Sequence, residues 1–273
     1  MKTGINFNCF QSGESYLALA REAKAAGFDL IEVATRMDGE LNLFSHERDF
    51  LRFREALSDI GIGMRSTNSG IFGKHPLTAK DPAARKEAME LVRRQLHAAA
   101  ALGCDTTLVT IGAVTPDMDY ESAYAFALET LTALADEAAA CGVSIGVENV
   151  WNKFLLSPLE MRALLDQIAS DFVGAYFDIG NVVLCGYPEQ WIKILGERIK
   201  KVHFKDFRRD VGTLAGFTRL MTGDVDYHAV IKALRGIGYD DAAVTEINHT
   251  MPARTVRETM EEAAADLRAA INA

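Results

Sequence analysis

Four side chains of the kind that bind metals and transfer protons stand at or near the ends of four short apolar runs. The runs GVSIGVEN, FVGAYFD, IKKVHFKD and AAVTEIN carry Glu148, Asp178, His203 and Glu246 in that order. Three carboxylates repel one another when they come close, so such a group needs a positive charge among its members. A divalent cation supplies that charge, and this donor set suits Mn²⁺, Mg²⁺ or Co²⁺. We predict that the four residues bind one divalent metal ion, with Mn²⁺ favoured and Zn²⁺ less so because the set contains no thiolate.

Each of these residues also has a purely structural interpretation. A lone acid at the end of a strand often caps the following helix, which is the alternative for Asp178. A lone histidine in an apolar strand is more often a core residue than a ligand, which is the alternative for His203. Four such residues on consecutive predicted strands favour the metal site over these separate explanations.

The elements that must position these residues are short strands and longer helices in alternation, which form eight β–α units. The first four strands are predicted at TGINFNC, LIEVA, GIGMRST and CDTTLVTIG, and the other four are the runs given above. The helices are predicted in a stretch capped by Ser12 and stopped by Gly27, near 46–60, and at about Asp81–Leu102, Tyr120–Ala140, Pro158–Ala169, Pro188–Leu195, Tyr227–Gly236 and Pro252–Ala270. Several helices are expected to end at a glycine, namely Gly27, Gly61, Gly103, Gly142, and Gly236 with Gly238.

This alternation, without a linker or a low-complexity tract, predicts an α/β fold with a single (β/α)8 TIM barrel over residues 1–273. Such barrels typically have about 250 residues. A doubly wound open sheet is the alternative, but no Gly-x-Gly-x-x-Gly motif follows the first strand. Functional residues of a barrel lie where its strands end, so we expect the four side chains to gather there.

The composition limits the class of partner. The chain has 273 residues, of which 49% are hydrophobic, and a formal net charge of −9. This acidic balance argues against a nucleic-acid partner, because phosphate backbones require a basic surface. We find no signal peptide and no run long enough to span a membrane. The four cysteines are scattered singly, as is typical of reduced thiols, so we predict a cytoplasmic protein that binds neither nucleic acid nor membranes.

Four stretches, VENVWNKFLLSP, YFDIGNV, VHFKDFR and TEIN, resemble in order and spacing the sugar isomerase/epimerase group of the xylose isomerase-like TIM barrels. The stretch TGDVDYHAVIKALRGIGYDD also resembles the segment before the last strand of that group. The resemblance implies that Glu148, Asp178, His203 and Glu246 are the metal ligands and that Glu148 and Glu246 are the catalytic acid/base pair. It further implies a metal-dependent epimerase or isomerase of a sugar or sugar phosphate, and we favour a ketose 3-epimerase that works through a metal-stabilised enediolate.

Residues near the ligands bear on the substrate. Epimerases of free ketoses usually have a histidine three residues after the sixth-strand aspartate, where this chain has Asn181. The form DIGN resembles members that act on phosphorylated sugars. Arg209 occupies a position where family members place an arginine on substrate oxygens, although a solvated loop charge is the alternative. Lys153 is a candidate phosphate contact and His75 a candidate at the mouth of the barrel.

Four further residues are expected near the site in supporting positions. Lys205 and Asp206 are expected to orient the metal ligands. Trp151 and Phe7 are candidates for the pocket wall, with plain core packing as the alternative.

Other activities fit the same four residues. An aldose–ketose isomerase uses the same enediolate, and a dehydratase of polyol-like ketones uses the same metal and base. A phosphodiesterase like the abasic-site endonucleases is a different class, but it needs several zinc ions and a DNA-binding surface, whereas this chain has six histidines and an acidic balance. A binding protein or inactive relative would show no bound metal after purification. The oligomeric state is left open, with a homo-oligomer as one option.

Overall fold

The chain folds into a closed barrel of eight parallel strands surrounded by helices. The computed structural model describes residues 1–10, 15–247 and 255–273. The barrel strands are β1 Lys2–Asn6, β2 Leu30–Ala34, β3 Gly63–Asn68, β4 Thr106–Val109, β5 Ser144–Glu148, β6 Val173–Asp178, β7 Ile199–Phe204 and β10 Ala242–Thr245. Their order around the barrel is β1-β10-β7-β6-β5-β4-β3-β2, and β2 pairs with β1 to close it. The predicted TIM barrel is therefore confirmed.

Helices connect successive strands and cover the outside of the barrel. They are α1 Tyr16–Ala25, α2 Glu47–Ile60, α3 Pro82–Leu102, α4 Tyr120–Cys141, α5 Pro158–Ile168, α6 Ile179–Val182, α7 Pro188–Leu195, α8 Tyr227–Gly236 and α9 Val256–Ile271. Local signals fix their ends, as at α5, where Ser157 and Glu160 form a capping box. Gly61, Gly103 and Gly142 end α2, α3 and α4 in the left-handed conformation that favours glycine.

The strands are buried on both faces because one face lines the barrel and the other packs against the helices. In β6 all six residues are buried. The ring of Phe177 stacks on Trp191 of α7, with ring centroids 6.1 Å apart, so Phe177 faces the helical layer. Its neighbours Tyr176 and Asp178 point the other way, since side chains alternate along a strand. This alternation determines which polar groups meet inside the barrel.

A small antiparallel hairpin, β8 Asp206–Phe207 and β9 Phe217–Thr218, follows β7 and was not predicted from the sequence. The Asp206 carboxylate accepts hydrogen bonds from the backbone N–H groups of Phe207, Gly223 and Val225, at 2.8, 3.0 and 3.2 Å. Asp206 therefore fixes the loop after the hairpin. The expectation that it orients the metal ligands is not met by these contacts.

Two predicted helix starts differ from the structure. Helix α1 begins at Tyr16, and its N-cap is Ser15, whose hydroxyl accepts from the N–H of Ala18 at 3.2 Å. The predicted cap, Ser12, lies outside the described residues. Helix α9 begins at Val256 with Thr255 as its cap, whereas the predicted start, Pro252, also lies outside the described part of the chain. Among the described residues, none of the helices has the length and apolar character needed to span a membrane.

Candidate metal centre

Glu148, Asp178, His203 and Glu246 come together at the carboxyl end of the barrel. Glu148 and Asp178 are the last residues of β5 and β6, His203 is the fifth residue of β7, and Glu246 directly follows β10. Each offers one ligand atom, and these atoms all lie within 4.8 Å of one another. Asp178 and His203 are almost completely buried, and the side chain of Glu246 is only 15% exposed. The predicted gathering of these residues is what the structure shows, and their role as ligands stays a prediction.

The cluster has the chemistry that a divalent cation requires. His203 Nδ1 and Asp178 Oδ2 are buried and face charged groups, Glu246 Oε2 at 3.2 Å and Lys205 Nζ at 2.7 Å respectively. Both atoms are good ligands for a hard or borderline cation, as are the carboxylates beside them. A metal ion there would satisfy the two buried atoms and offset the repulsion between the carboxylates. These four side chains therefore fit a divalent metal ion.

The carboxylate of Asp178 caps a helix with one oxygen and faces the candidate metal site with the other. Its Oδ1 accepts a hydrogen bond from the N–H of Asn181 at 2.9 Å and caps the short helix α6. Its Oδ2 lies 2.7 Å from Nζ of Lys205. One carboxylate oxygen thus holds the backbone, while the other faces the cluster.

Lys205 is a buried cation that contacts the candidate ligands directly. Its Nζ lies 2.7 Å from Asp178 Oδ2 and 2.8 Å from Glu246 Oε2. It also lies 5.2 Å from the centroid of the Phe217 ring. The prediction that Lys205 orients the ligands agrees with this position.

The two glutamates have opposite protonation tendencies although they share one cluster. Burial, followed by the charge of Glu246, raises the pKa of Glu148 to about 8. Burial also acts to raise the pKa of Glu246, but the charge of Lys205 and the hydrogen bond with His203 hold it below its ordinary value. Without a metal, the surroundings therefore push the pKa values of the two carboxyl groups apart, whereas a bound cation would favour the ionised form of both.

Glu32, in the middle of β2, contacts the cluster through His203 and was missed by the sequence interpretation. It is buried, and Asn6, Ser66, Asn68 and Tyr176 each donate a hydrogen bond to it, while His203 Nε2 lies 3.0 Å from its Oε1. Burial would raise the pKa of Glu32, but the charge of His203 and these hydrogen bonds lower it, so the carboxylate is ionised. The signal in the sequence was an acid between Ile31 and Val33 in an apolar strand.

The predicted substrate contacts occupy different places around the mouth. The Asn181 side chain donates to the backbone oxygen of Asn149 at 2.9 Å, and its own backbone oxygen accepts from the Trp151 indole at 2.8 Å. Lys153, which is exposed and has a φ of 60°, lines a cavity of about 350 Å³ together with Trp151 and Asn181. Asn181 and Lys153 therefore lie beside the cluster without touching its ligand atoms in these contacts.

Arg209 and His75 are engaged elsewhere. Arg209 Nε donates to the backbone oxygen of Val183 at 3.1 Å, and its guanidinium lies 5.5 Å from the ring centroid of Tyr187, at a cavity of about 490 Å³. His75 Nδ1 lies 3.5 Å from a carboxylate oxygen of Glu87 on α3. The structure does not bring either residue into the metal cluster.

Aromatic side chains form a wall beside Lys205. The Trp151 ring lies 5.2 Å from Phe207 and 5.3 Å from Phe217, and those two rings are 5.2 Å apart. The expectation that Trp151 lines the pocket agrees with this position. Phe7 is buried against Phe10, 6.1 Å away, and has the core packing that was its alternative.

The structure is a closed parallel TIM barrel with an acidic, histidine-containing cluster, a candidate metal centre, at the carboxyl ends of its strands. The chain belongs to the Xylose isomerase-like TIM barrel family, whose model matches residues 20–269.

Relatives and solved structures agree with that assignment. The chain is 27% identical over 235 residues to a protein of Escherichia coli strain K12 described as a putative L-ribulose-5-phosphate 3-epimerase, covering 82% of this chain and 81% of that protein. It is also 27% identical over 235 residues to a ketose 3-epimerase of Arthrobacter globiformis, covering 83% of this chain and 75% of the relative. A structure of D-psicose 3-epimerase superimposes with a TM-score of 0.80 at 19% identity, over 100% of this chain and 97% of the other. A structure of the IOLI protein with a zinc atom gives 0.82 at 19% identity, over 100% and 98%.

Proposed function

We propose that this protein is a metal-dependent sugar epimerase that inverts the carbon beside a ketone, with Glu148 and Glu246 as its proton-transfer pair. The observation that carries the proposal is the cluster at the carboxyl end of the barrel, in which these two glutamates share a candidate ligand set with Asp178 and His203. The names of the two curated relatives, both 3-epimerases, support the same reaction class.

The protein's own residues carry the proton through the reaction. An ionised glutamate removes the proton from the carbon next to the carbonyl group, and the protonated glutamate delivers one to the opposite face. Glu148 and Glu246 reach the cluster from β5 and β10, which are separated in the barrel by β6 and β7, so they approach a bound substrate from different sides. The bound cation supplies positive charge for substrate oxygens that become electron-rich when the proton leaves.

Buried surroundings make this proton transfer efficient. Lys205, Glu148, Asp178 and His203 are buried, and the Phe217 ring of the aromatic wall lies 5.2 Å from Lys205 Nζ. Excluding water lowers the local dielectric constant, so the charges of Lys205 and the cation act more strongly on the substrate. The same wall keeps solvent protons from reaching the flat, deprotonated sugar.

We extend the proposal to a phosphorylated ketose as the preferred substrate. Asn181 stands where free-ketose enzymes usually have histidine, and the cationic side chains Lys153 and Arg209 line two cavities, the first of which Asn181 also lines. These cavities share Leu156, Leu184, Cys185, Gly186 and Trp191 in their linings, so they adjoin. Lys153 and Arg209 supply positive charge for a phosphate group held there.

The reaction is tested by incubating Mn²⁺-loaded protein with ketopentoses and ketohexoses, free and as 5- or 6-phosphates, in deuterated water. Deuterium at C3 with inversion, and faster turnover of the phosphates, is the expected result. Label at C1 or C2 would instead identify an aldose–ketose isomerase, and loss of water a dehydratase. No turnover of any of these sugars with metal bound would contradict the proposal.

A further inference from the structure

We propose that Glu32 is the positioning residue for His203, and that it holds the ring so that Nδ1 faces the metal cluster. This inference rests on the metal site proposed above. It extends the site across the barrel to β2, a strand that supplies none of the predicted ligands. Glu32 acts through His203 and does not touch the other three ligands in these contacts.

The first observation is how the two oxygens of the Glu32 carboxylate are used. Oε1 accepts from the amides of Asn6 and Asn68, at 2.8 and 3.0 Å, and lies 3.0 Å from His203 Nε2. Oε2 accepts from the hydroxyls of Ser66 and Tyr176. An ionised carboxylate has about four lone-pair sites, so donors from β1, β3 and β6 together with His203 saturate it. Its orientation is therefore fixed before any metal binds.

The second observation is the direction of the histidine ring. Because Nε2 faces the Glu32 carboxylate, the proton on that nitrogen is held there as a hydrogen-bond donor. The opposite nitrogen, Nδ1, lies 3.2 Å from Glu246 Oε2 and 4.0 Å from Glu148 Oε1. The Tyr176 ring, with its centroid 4.5 Å from that of His203, packs against the imidazole and limits its rotation. The ring thus directs Nδ1 at the cluster, where this nitrogen would give up its proton and offer a lone pair when a metal ion binds.

The physical effect on a metal is twofold. A carboxylate that accepts the far N–H fixes which nitrogen binds, and it makes that nitrogen a stronger electron donor. If Glu32 only stabilised the fold, replacing it would change the free energy of unfolding but not which nitrogen of His203 binds the metal. Metal affinity and the state of the Nε2 proton are therefore the measurements that separate the two roles.

The test compares the wild type with Glu32→Gln and Ser66→Ala in full-length protein. Ser66→Ala removes a hydrogen bond to the other oxygen of the same carboxylate and leaves Oε1 on His203, so it is the matched control. Mn²⁺ dissociation constants are measured by calorimetry. We expect Glu32→Gln to weaken binding by about 10–100-fold, as removal of such partners typically does, with Ser66→Ala close to wild type.

A second readout is ¹⁵N NMR of histidine-labelled, Zn²⁺-loaded protein. Wild type and Ser66→Ala should show a metal-bound Nδ1 and a slowly exchanging Nε2–H for His203, whereas in Glu32→Gln this proton should exchange quickly with water. Should Glu32→Gln not fold, Glu32→Asp replaces it, because its shorter side chain keeps the charge but withdraws it from Nε2.

The outcomes are separable from those of the proposed function. Wild-type protein that binds metal while Glu32→Gln binds it equally well, with an unchanged Nε2–H signal, overturns the role of Glu32 alone. Equal losses in Glu32→Gln and Ser66→Ala also overturn it, since they indicate a general structural effect. Wild-type protein that binds no divalent metal overturns both this inference and the metal-dependent function.

Discussion

At the scale of single residues, the centre balances carboxylates against cations. Glu148, Asp178 and Glu246 face Lys205 and His203, and Glu32 approaches His203 from the other side. Lys205 offsets part of the negative charge even without a metal, because its Nζ contacts two of the three carboxylates. Burial acts to raise the pKa of both glutamates; at Glu246 Lys205 and His203 outweigh it, whereas at Glu148 the charge of Glu246 adds to it.

This asymmetry leads to a prediction for Glu148→Gln and Glu246→Gln. Each variant should lose epimerisation by about 10²–10⁴-fold, because general acid–base transfer contributes about that much. Each keeps one base, so each should still exchange the C3 hydrogen of one epimer without inversion, and the reactive epimer should differ between the two. Proton NMR of both epimers in deuterated water measures this exchange.

The matched control for these variants is Glu129→Gln, on the outer face of α4, where the side chain is 61% exposed. It should keep wild-type turnover, and all three variants should keep the wild-type circular dichroism spectrum. Near-normal epimerisation by either active-site variant would contradict the two-base scheme.

The residues at strand ends were predictable from the sequence, whereas Glu32 was not. Glu148, Asp178 and Glu246 each interrupt an apolar run at the point where a barrel places its site, so position alone singles them out. Glu32 lies inside its strand, and its importance comes from His203, which is 171 residues away in sequence. Arg209 was singled out by its offset from His203, and its substrate contact stays a prediction, since its guanidinium contacts Val183 and Tyr187 at a neighbouring cavity.

At the scale of elements, the pairing of β6 with β7 sets the direction of the ligands. The register between these strands shifts at Ala175 and Tyr176, and beyond the shift Asp178 stands opposite His203. Gly174, just before the shift, lies close to the backbone of Arg198 and the side chain of Lys200. This close approach leaves no room for a side chain at Gly174.

Replacing Gly174 by alanine should therefore destabilise the barrel, because the new Cβ would overlap the backbone oxygen of Arg198. Overpacking of this kind costs about 1–3 kcal/mol, and chemical denaturation measures it. Gly236→Ala is the control, since a Cβ there has no atom within 4 Å among the described residues and the position lies in α8. The control should be neutral or stabilising by up to about 1 kcal/mol. Equal stability of the two variants would show that the approach at Gly174 is not tight.

Helices of eight residues or more were predictable because their signals are repeated, whereas the elements of two to four residues after β6 and β7 were not. Helix α7 has the predicted bounds, and α3 and α4 match to within one residue, since each has a strong cap or a glycine end. The hairpin β8–β9 has two residues in each strand, too few to show an alternating pattern. The four-residue helix α6 was not predicted as an element, although capping of a following helix, the structural alternative for Asp178, is what its Oδ1 does there.

At the scale of the whole molecule, β7 and the residue after it carry buried lysines that pair with acids at both ends of the barrel. Lys201, His203 and Lys205 alternate along β7 and beyond it, so they share its inner side. Lys201 Nζ lies 2.6 Å from Asp105 Oδ1 and also contacts Asp241, residues that directly precede β4 and β10. Lys205 contacts Asp178 and Glu246 at the opposite end. Two buried lysines on one strand thus pair with acids at the amino and the carboxyl ends of the barrel.

Substitutions at the amino end of the barrel should affect stability, and those at the carboxyl end should affect metal binding as well, as is general for this fold. Lys201→Met should lower the free energy of unfolding by about 1–3 kcal/mol, since Asp105 and Asp241 are partly exposed and water screens the lost pair. Its Mn²⁺ dissociation constant should stay within about twofold of wild type, because four residues of strand place it about 13 Å from Lys205.

Lys205→Met should behave differently, because it leaves Asp178 and Glu246 buried with one cation fewer. Without metal, the loss of a buried pair costs about 3–5 kcal/mol. Added Mn²⁺ supplies the missing charge, so the rise in melting temperature on adding Mn²⁺ should be larger in Lys205→Met than in wild type, and should equal the wild-type rise in Lys201→Met. Thermal denaturation of the three proteins with and without Mn²⁺ measures both effects. The same metal-induced rise in both variants would mean that the two lysines are equivalent structural charges and that Lys205 does not face the metal centre.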